Sequence, residues 1–136
     1  MRMPEQRLWD RFRASLAAYG FAYERIENIV GDGIPDVVVC RAGVVSFVEM
    51  KAVAAWPVRA ATPVLGRKGL NVAQHNWAFR WWDAGARVFT LVGVGPTERV
   101  LVPAGRFENI NAATKEELLP YKRSWPEIVK ELGHDH

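Results

Sequence analysis

The sequence predicts a single α/β domain: a mixed central β-sheet of about four to five strands flanked by helices. Three observations carry that reading. Two apolar, β-branched runs at 36–40 and 44–51 are separated by a short connection containing Gly43, the pattern of a hairpin. A helical segment at 72–83 then leads into "RVFTLVGV" at 87–94, so this strand is reached by a crossover and should pair in parallel. A further amphipathic segment opens the chain and supplies a second covering helix.

Taken in order, Pro4 suits a first helical turn and Gly20 a stop, with Leu8, Phe12, Ser15/Leu16 and Tyr19 forming an apolar stripe that Trp9 widens. Residues 21–30 read as a first strand, and "GDGIP" as a turn in which Asp32 is a turn residue. With Ala42 and Gly43 at the hairpin tip, Cys40 opposes Val45 and Asp36 opposes Glu49, and alternation puts Lys51 on the Glu49 face. Residues 52–70, with Pro57, Pro63, Gly66 and Gly69, lack periodicity and read as a functional loop or a solvated excursion. Asn71 can cap the next helix and Gly85 close it. On it, Gln74, Trp77 or Ala78, and Trp81 share one face; Val72, Phe79 and Trp82 share the other. A core of this size takes about two of these aromatics, so a homodimer is expected, with Phe79 or Trp82 near its interface. An edge strand at 99–102 completes a core of about 4–102. Two short helices, "ATKEELLPY" and a Ser124-capped "SWPEIVKEL", form an extension over about 103–133.

Composition narrows the class. The 136 residues are 49% hydrophobic and 24% charged, as in ordinary folded domains. No apolar run approaches the roughly 20 residues that span a bilayer, and charge appears too early for a signal peptide. Cys40 is the single cysteine, so no intrachain disulfide forms and a reducing, cytoplasmic setting is expected. The net charge of +3 is a weak hint of nucleic acid, but 52–71 holds Arg59, Arg67 and Lys68 and no acid, which makes the loop, with Trp56, the stretch suited to face a polyanion such as nucleic acid. There is no phosphate-binding glycine loop, no zinc-type cysteine or histidine pairing, and no convergent nucleophile triad; the terminal "HDH" reads as a frayed tail.

Chemistry concentrates at one end of the hairpin. Asp36, Glu49 and Lys51 would stand together there, and two adjacent carboxylates repel unless a cation lies between them. Hard oxygen ligands suit Mg²⁺, with Mn²⁺ able to substitute. Solvated charges at the ends of an ordinary hairpin are the plainer alternative. Glu5 fits a helix-dipole acid, and Gln74 a surface amide.

Pro35-Asp36 and Glu49-Met50-Lys51, with their apolar flanks, resemble the "PD" and "ExK" signatures of the PD-(D/E)XK nuclease superfamily, and most closely its VRR-NUC and Holliday-junction-resolvase-like members. The similarity runs over about residues 5–94. It implies a restriction-endonuclease-like core and metal-dependent hydrolysis of DNA phosphodiesters, leaving 5′-phosphate and 3′-hydroxyl ends. It also implies a metal held by Asp36, Glu49, the Met50 backbone carbonyl and Glu5, with Asp10 as fallback for Glu5. Lys51 would stabilise charge or position water, and Gln74 would position the attacking water or the phosphate. A structure-selective endonuclease, a dedicated Holliday junction resolvase, and a non-catalytic DNA-binding or assembly module on the same fold all stay open at this point.

Overall fold

A computed structural model describes residues 4–26 and 33–133. Five strands lie side by side in chain order: β1 (Ala22–Arg25), β2 (Val37–Arg41), β3 (Val44–Val53), β4 (Arg87–Val94) and β5 (Glu98–Pro103). All neighbours are antiparallel except β3 and β4, which pair in parallel through the crossover helix α2 (Val72–Asp83). The hairpin register is the one expected, with Cys40 opposite Val45 and Val37 opposite Val48. Its tip needs left-handed backbone, which Gly43 supplies at φ 80° and Ala42 tolerates at φ 53°.

Strand alternation divides the interior between the two faces of the sheet. Helix α1 (Pro4–Ala18) lays Leu8, Trp9, Phe12 and Leu16 on one face, against Val37, Val39, Val48, Met50, Phe89 and Leu91. The C-terminal α4 (Trp125–Leu132) adds Ile128, Val129 and Leu132 to this same cluster, so the extension shares the main core. The other face buries Val53, Val92, Val100 and Val102 beneath Leu65, Leu70, Ile110 and Leu118. The last of these comes from the short helix α3 (Lys115–Leu118), whose Thr114 cap reciprocates with Glu117.

Four expectations change. Helix α1 ends at Ala18, Gly20 turns at φ 76°, and the chain inserts Phe21, so Tyr19 leaves the stripe and is 46% exposed. The first strand is a short, exposed edge, Ala22–Arg25; the rest of that expectation, with Asp32 and the terminal "HDH", lies outside the described residues. On α2 it is Trp81 that is exposed, at 39%, while Phe79 and Trp82 are half-buried. Gly105 packs so tightly on Trp82 that a side chain there would collide with the indole, so the extension covers Trp82, while Val72 on the same face stays 75% exposed. Trp56 is half-buried against the second cluster, donates to Glu98 at 2.9 Å and lies under the Lys115 ammonium, so it pins the loop to the body of the domain.

Candidate active site

Asp36 stands just before β2, and the register carried one step further sets it opposite Glu49. Its Oδ2 accepts the Met50 backbone N–H at 2.8 Å. Because a strand residue sends its N–H and C=O to the same side, the Met50 carbonyl also projects toward Asp36, beyond the last ladder pair.

Glu49 is 6% exposed, a rare condition for a carboxylate, and its Oε1 is buried with no hydrogen-bond partner among the described residues. Burial first, then the charge of Asp36, pushes its pKa up to about 9, against the opposing pull of Lys51. The other oxygen, Oε2, accepts from Gln74 Nε2 at 3.2 Å and lies 3.8 Å from Lys51 Nζ. Lys51 Nζ in turn donates to Gln74 Oε1 at 3.2 Å. Three side chains from β3 and α2 thus close a small polar ring.

Gln74 owes its position to the helix cap. Asn71 Oδ1 accepts from the Gln74 N–H and Gln74 Oε1 accepts from the Asn71 N–H, both at 2.9 Å, a reciprocal capping box. The same amide therefore serves the cap and the site. Gly33, at φ 85°, lies so close to the Ala73 carbonyl that any Cβ would clash with it, which lets the chain entering Asp36 run against the first turn of α2. From the far side, Asn111 accepts from the Leu70 N–H and donates to the Leu70 carbonyl, both at 2.8 Å, fixing the residue before the cap.

Glu5, in the exposed first turn of α1, is electrostatically coupled to Asp36 and Lys51. Partial enclosure and Asp36 raise its pKa; Lys51 and Arg25 oppose that. Asp10 instead engages Gln6 and Arg13 on its own helix. Among the described residues no three acidic, histidine or cysteine side chains close to ligand spacing, so Glu5 does not form a ready three-acid set with Asp36 and Glu49. Arg59, Arg67 and Lys68 are all exposed, the last two in the 3₁₀ turn Gly66–Lys68 that runs into the α2 cap.

A divalent cation fits this donor set. The orphaned Glu49 Oε1, the adjacent Asp36 and the Met50 carbonyl are hard oxygens, and their mutual repulsion is the charge a cation would neutralise. The sequence made Asp36, Glu49, Lys51 and Gln74 candidates; it carried no sign of Asn111 or of the close approach at Gly33, both of which act through backbone contacts distant in sequence.

No protein-family model and no curated protein sequence matches the chain. Two solved structures share its architecture. Hjc, a Holliday junction resolvase from Archaeoglobus fulgidus, aligns with a TM-score of 0.59 at 17% identity, over 94% of this chain and 99% of that one. A VRR_NUC domain aligns with a TM-score of 0.52 at 23% identity, over 68% of this chain and 87% of that one. At such identities the likeness is one of fold, and the fold is the restriction-endonuclease-like arrangement that the motif implied.

Proposed function

We propose that the chain is a divalent-metal-dependent endonuclease that hydrolyses DNA phosphodiester bonds and selects its substrate by structure. The observation that carries this is Glu49: a buried carboxylate beside a second one, with an unpartnered oxygen, next to a lysine and a helix-held amide. Asp36, Glu49 and the Met50 carbonyl would hold Mg²⁺ or Mn²⁺, with Glu5 electrostatically coupled to Asp36. Such a cation polarises the phosphate and lowers the pKa of a bound water.

The chain's own residues do the rest. Lys51, held by Gln74, places its ammonium beside the carboxylates, where it can offset negative charge that develops on the phosphoryl oxygens. Gln74 fixes Lys51 and Glu49 relative to each other, so the reacting groups meet with little reorganisation. Water adds to phosphorus and the bond to the 3′ oxygen breaks, giving 5′-phosphate and 3′-hydroxyl ends. One chain carries one such site, so cutting two strands calls for two copies or two encounters.

The test is a panel of linear, nicked, flapped and four-way DNA with Mg²⁺ or Mn²⁺, beside the same panel in EDTA. Metal-dependent cleavage is expected; full activity in EDTA overturns the mechanism. A second reading, a dedicated Holliday junction resolvase, is favoured by the extent of the Hjc alignment, which takes in nearly all of both chains. Cleavage confined to the four-way junction would select it. Tight DNA binding without turnover would instead mark a non-catalytic module.

A further inference from the structure

A second feature lies at the same end of the sheet, on the opposite face. Strand pairing sets Ala52 beside Gly93, and these small residues leave a hollow beneath the first turns of α1. The hollow has a volume of about 150 Å³, with Leu8, Val53 and Trp125 among its walls. An apolar cavity of about that size takes one benzene-sized ring.

Its polar lining is mostly cationic. Arg7 and Arg11 stand four residues apart on α1, both exposed, a like-charged spacing that weakens a helix. Arg99 enters from β5, held by the Thr97 and Arg123 carbonyls and lying over Trp125, and Arg11 depresses its pKa further after burial. Among the described residues none of these three arginines makes an ion pair. The one acid in the lining, Glu98, is committed to Lys122 and Trp56. The pocket therefore combines a ring-sized apolar hollow with excess positive charge.

Ala52 follows Lys51 directly in β3, and Glu5 opens the helix that carries Arg7 and Arg11. The pocket and Lys51 thus share one end of the sheet, where a nucleic-acid strand could pass from one to the other around that end. We propose that this pocket takes a single unpaired nucleobase of the DNA substrate, its neighbouring phosphate resting on Arg7 and Arg11. This rests on the nuclease reading for its substrate and adds the structural feature selected: a base free to leave the stack, whose extrusion costs least where it is already unpaired.

The experiment measures binding apart from cleavage. In EDTA, the affinity of the full chain is compared for a duplex with one extrahelical thymine and the same duplex with an abasic residue there. The wild type should favour the base about tenfold, within what stacking one base contributes. Ala54→Phe, at an exposed wall position, should reduce the preference to under twofold while melting like the wild type. The double variant Arg7→Gln/Arg11→Gln should weaken both duplexes while the preference persists. Equal wild-type affinities, no measurable DNA binding, or an unchanged preference in Ala54→Phe would overturn the inference. So would displacement of both duplexes by millimolar thymidine monophosphate, which would make the pocket a free-nucleotide site. Cleavage of the same duplexes with Mg²⁺ is scored separately: turnover without base preference removes the pocket alone, and base preference without turnover removes the nuclease reading alone.

Discussion

The two ends of strand β3 hold buried polar groups to opposite effect. At its start, Ser46 is fully buried and donates to the Leu132 carbonyl, while Arg87 donates to Ser46 Oγ and to the Glu131 carbonyl at 2.6 Å. These contacts satisfy carbonyls that the last turn of α4 leaves over, and they bind that helix to the sheet. Toward its finish, Glu49 is almost as deeply buried, yet it faces another carboxylate, whose charge adds to burial in raising its pKa. One end spends its polar groups on folding. The other keeps them in conflict, which a protein tolerates where a ligand is to resolve it.

Breaking the conflicted end should give the largest effect. Glu49→Gln or Asp36→Asn should lower the cleavage rate by about a thousandfold, equivalent to several kcal/mol of metal-borne charge stabilisation. Neither should unfold the protein, and Glu49→Gln should raise the melting temperature in EDTA by removing a buried acid. Rates and melting curves on one preparation check both. A variant that loses activity only by unfolding would return Glu49 to the structural class of Ser46.

Breaking the end that ties α4 to the sheet should do the reverse. Arg87→Ala removes hydrogen bonds to a buried hydroxyl and a helix-terminal carbonyl and should destabilise the fold by about 2–3 kcal/mol. Urea titration measures that loss. Cleavage per folded molecule should stay near the wild-type value, because Arg87 stands at the far end of β3 from Lys51.

How much of this was legible follows the distance in sequence over which each contact acts. The hairpin register, the bounds of α2 and its Asn71 cap, and parallel β4 depend on local pattern and were readable. Asp36, Glu49 and Lys51 converge through that register alone, so the centre of the candidate site was readable too. Tyr19 misled because the periodic stripe ran past the point where the helix ends, just before Gly20. Trp82 misled for a different reason: its neighbour Gly105 comes from the extension, across a sequence separation that no periodicity encodes. Asn111 and the approach at Gly33 were invisible on the same ground.

The pH dependence sharpens the comparison further. Glu49 carries a folded-state pKa raised from 4.5 to about 9, so the folded chain holds that proton more tightly than the unfolded one. Below about pH 4.5 both states are protonated and Glu49 costs nothing. As pH climbs from there toward 9 the cost grows, so in EDTA the melting temperature should fall across that window. Glu49→Gln should flatten the fall. A cation that replaces the proton should bind more tightly as pH rises, so the gap between melting curves with and without Mg²⁺ should widen over the same window. A gap independent of pH would separate the metal from Glu49.

The smallest effect belongs to the loop between the two sides of the site. Arg59, Arg67 and Lys68 are exposed and make no ion pair among the described residues, so their removal should leave the fold within about 0.5 kcal/mol of wild-type stability. Their value would appear only against a polyanion. Arg67 and Lys68 precede the cap that holds Gln74, close enough along the chain to reach a phosphate flanking the cleaved one. Each phosphate that a removed cation no longer neutralises should reduce the slope of log affinity against log salt by about 0.9 on duplex DNA. Arg67→Ala/Lys68→Ala should therefore flatten the slope by up to about two units, and adding Arg59→Ala by up to about one more. Such flattening, with cleavage chemistry unchanged at saturating DNA, would assign the loop to holding substrate. An unchanged slope in the triple variant would leave these cations as solvated surface and shift the strand's path toward the arginines beside α1.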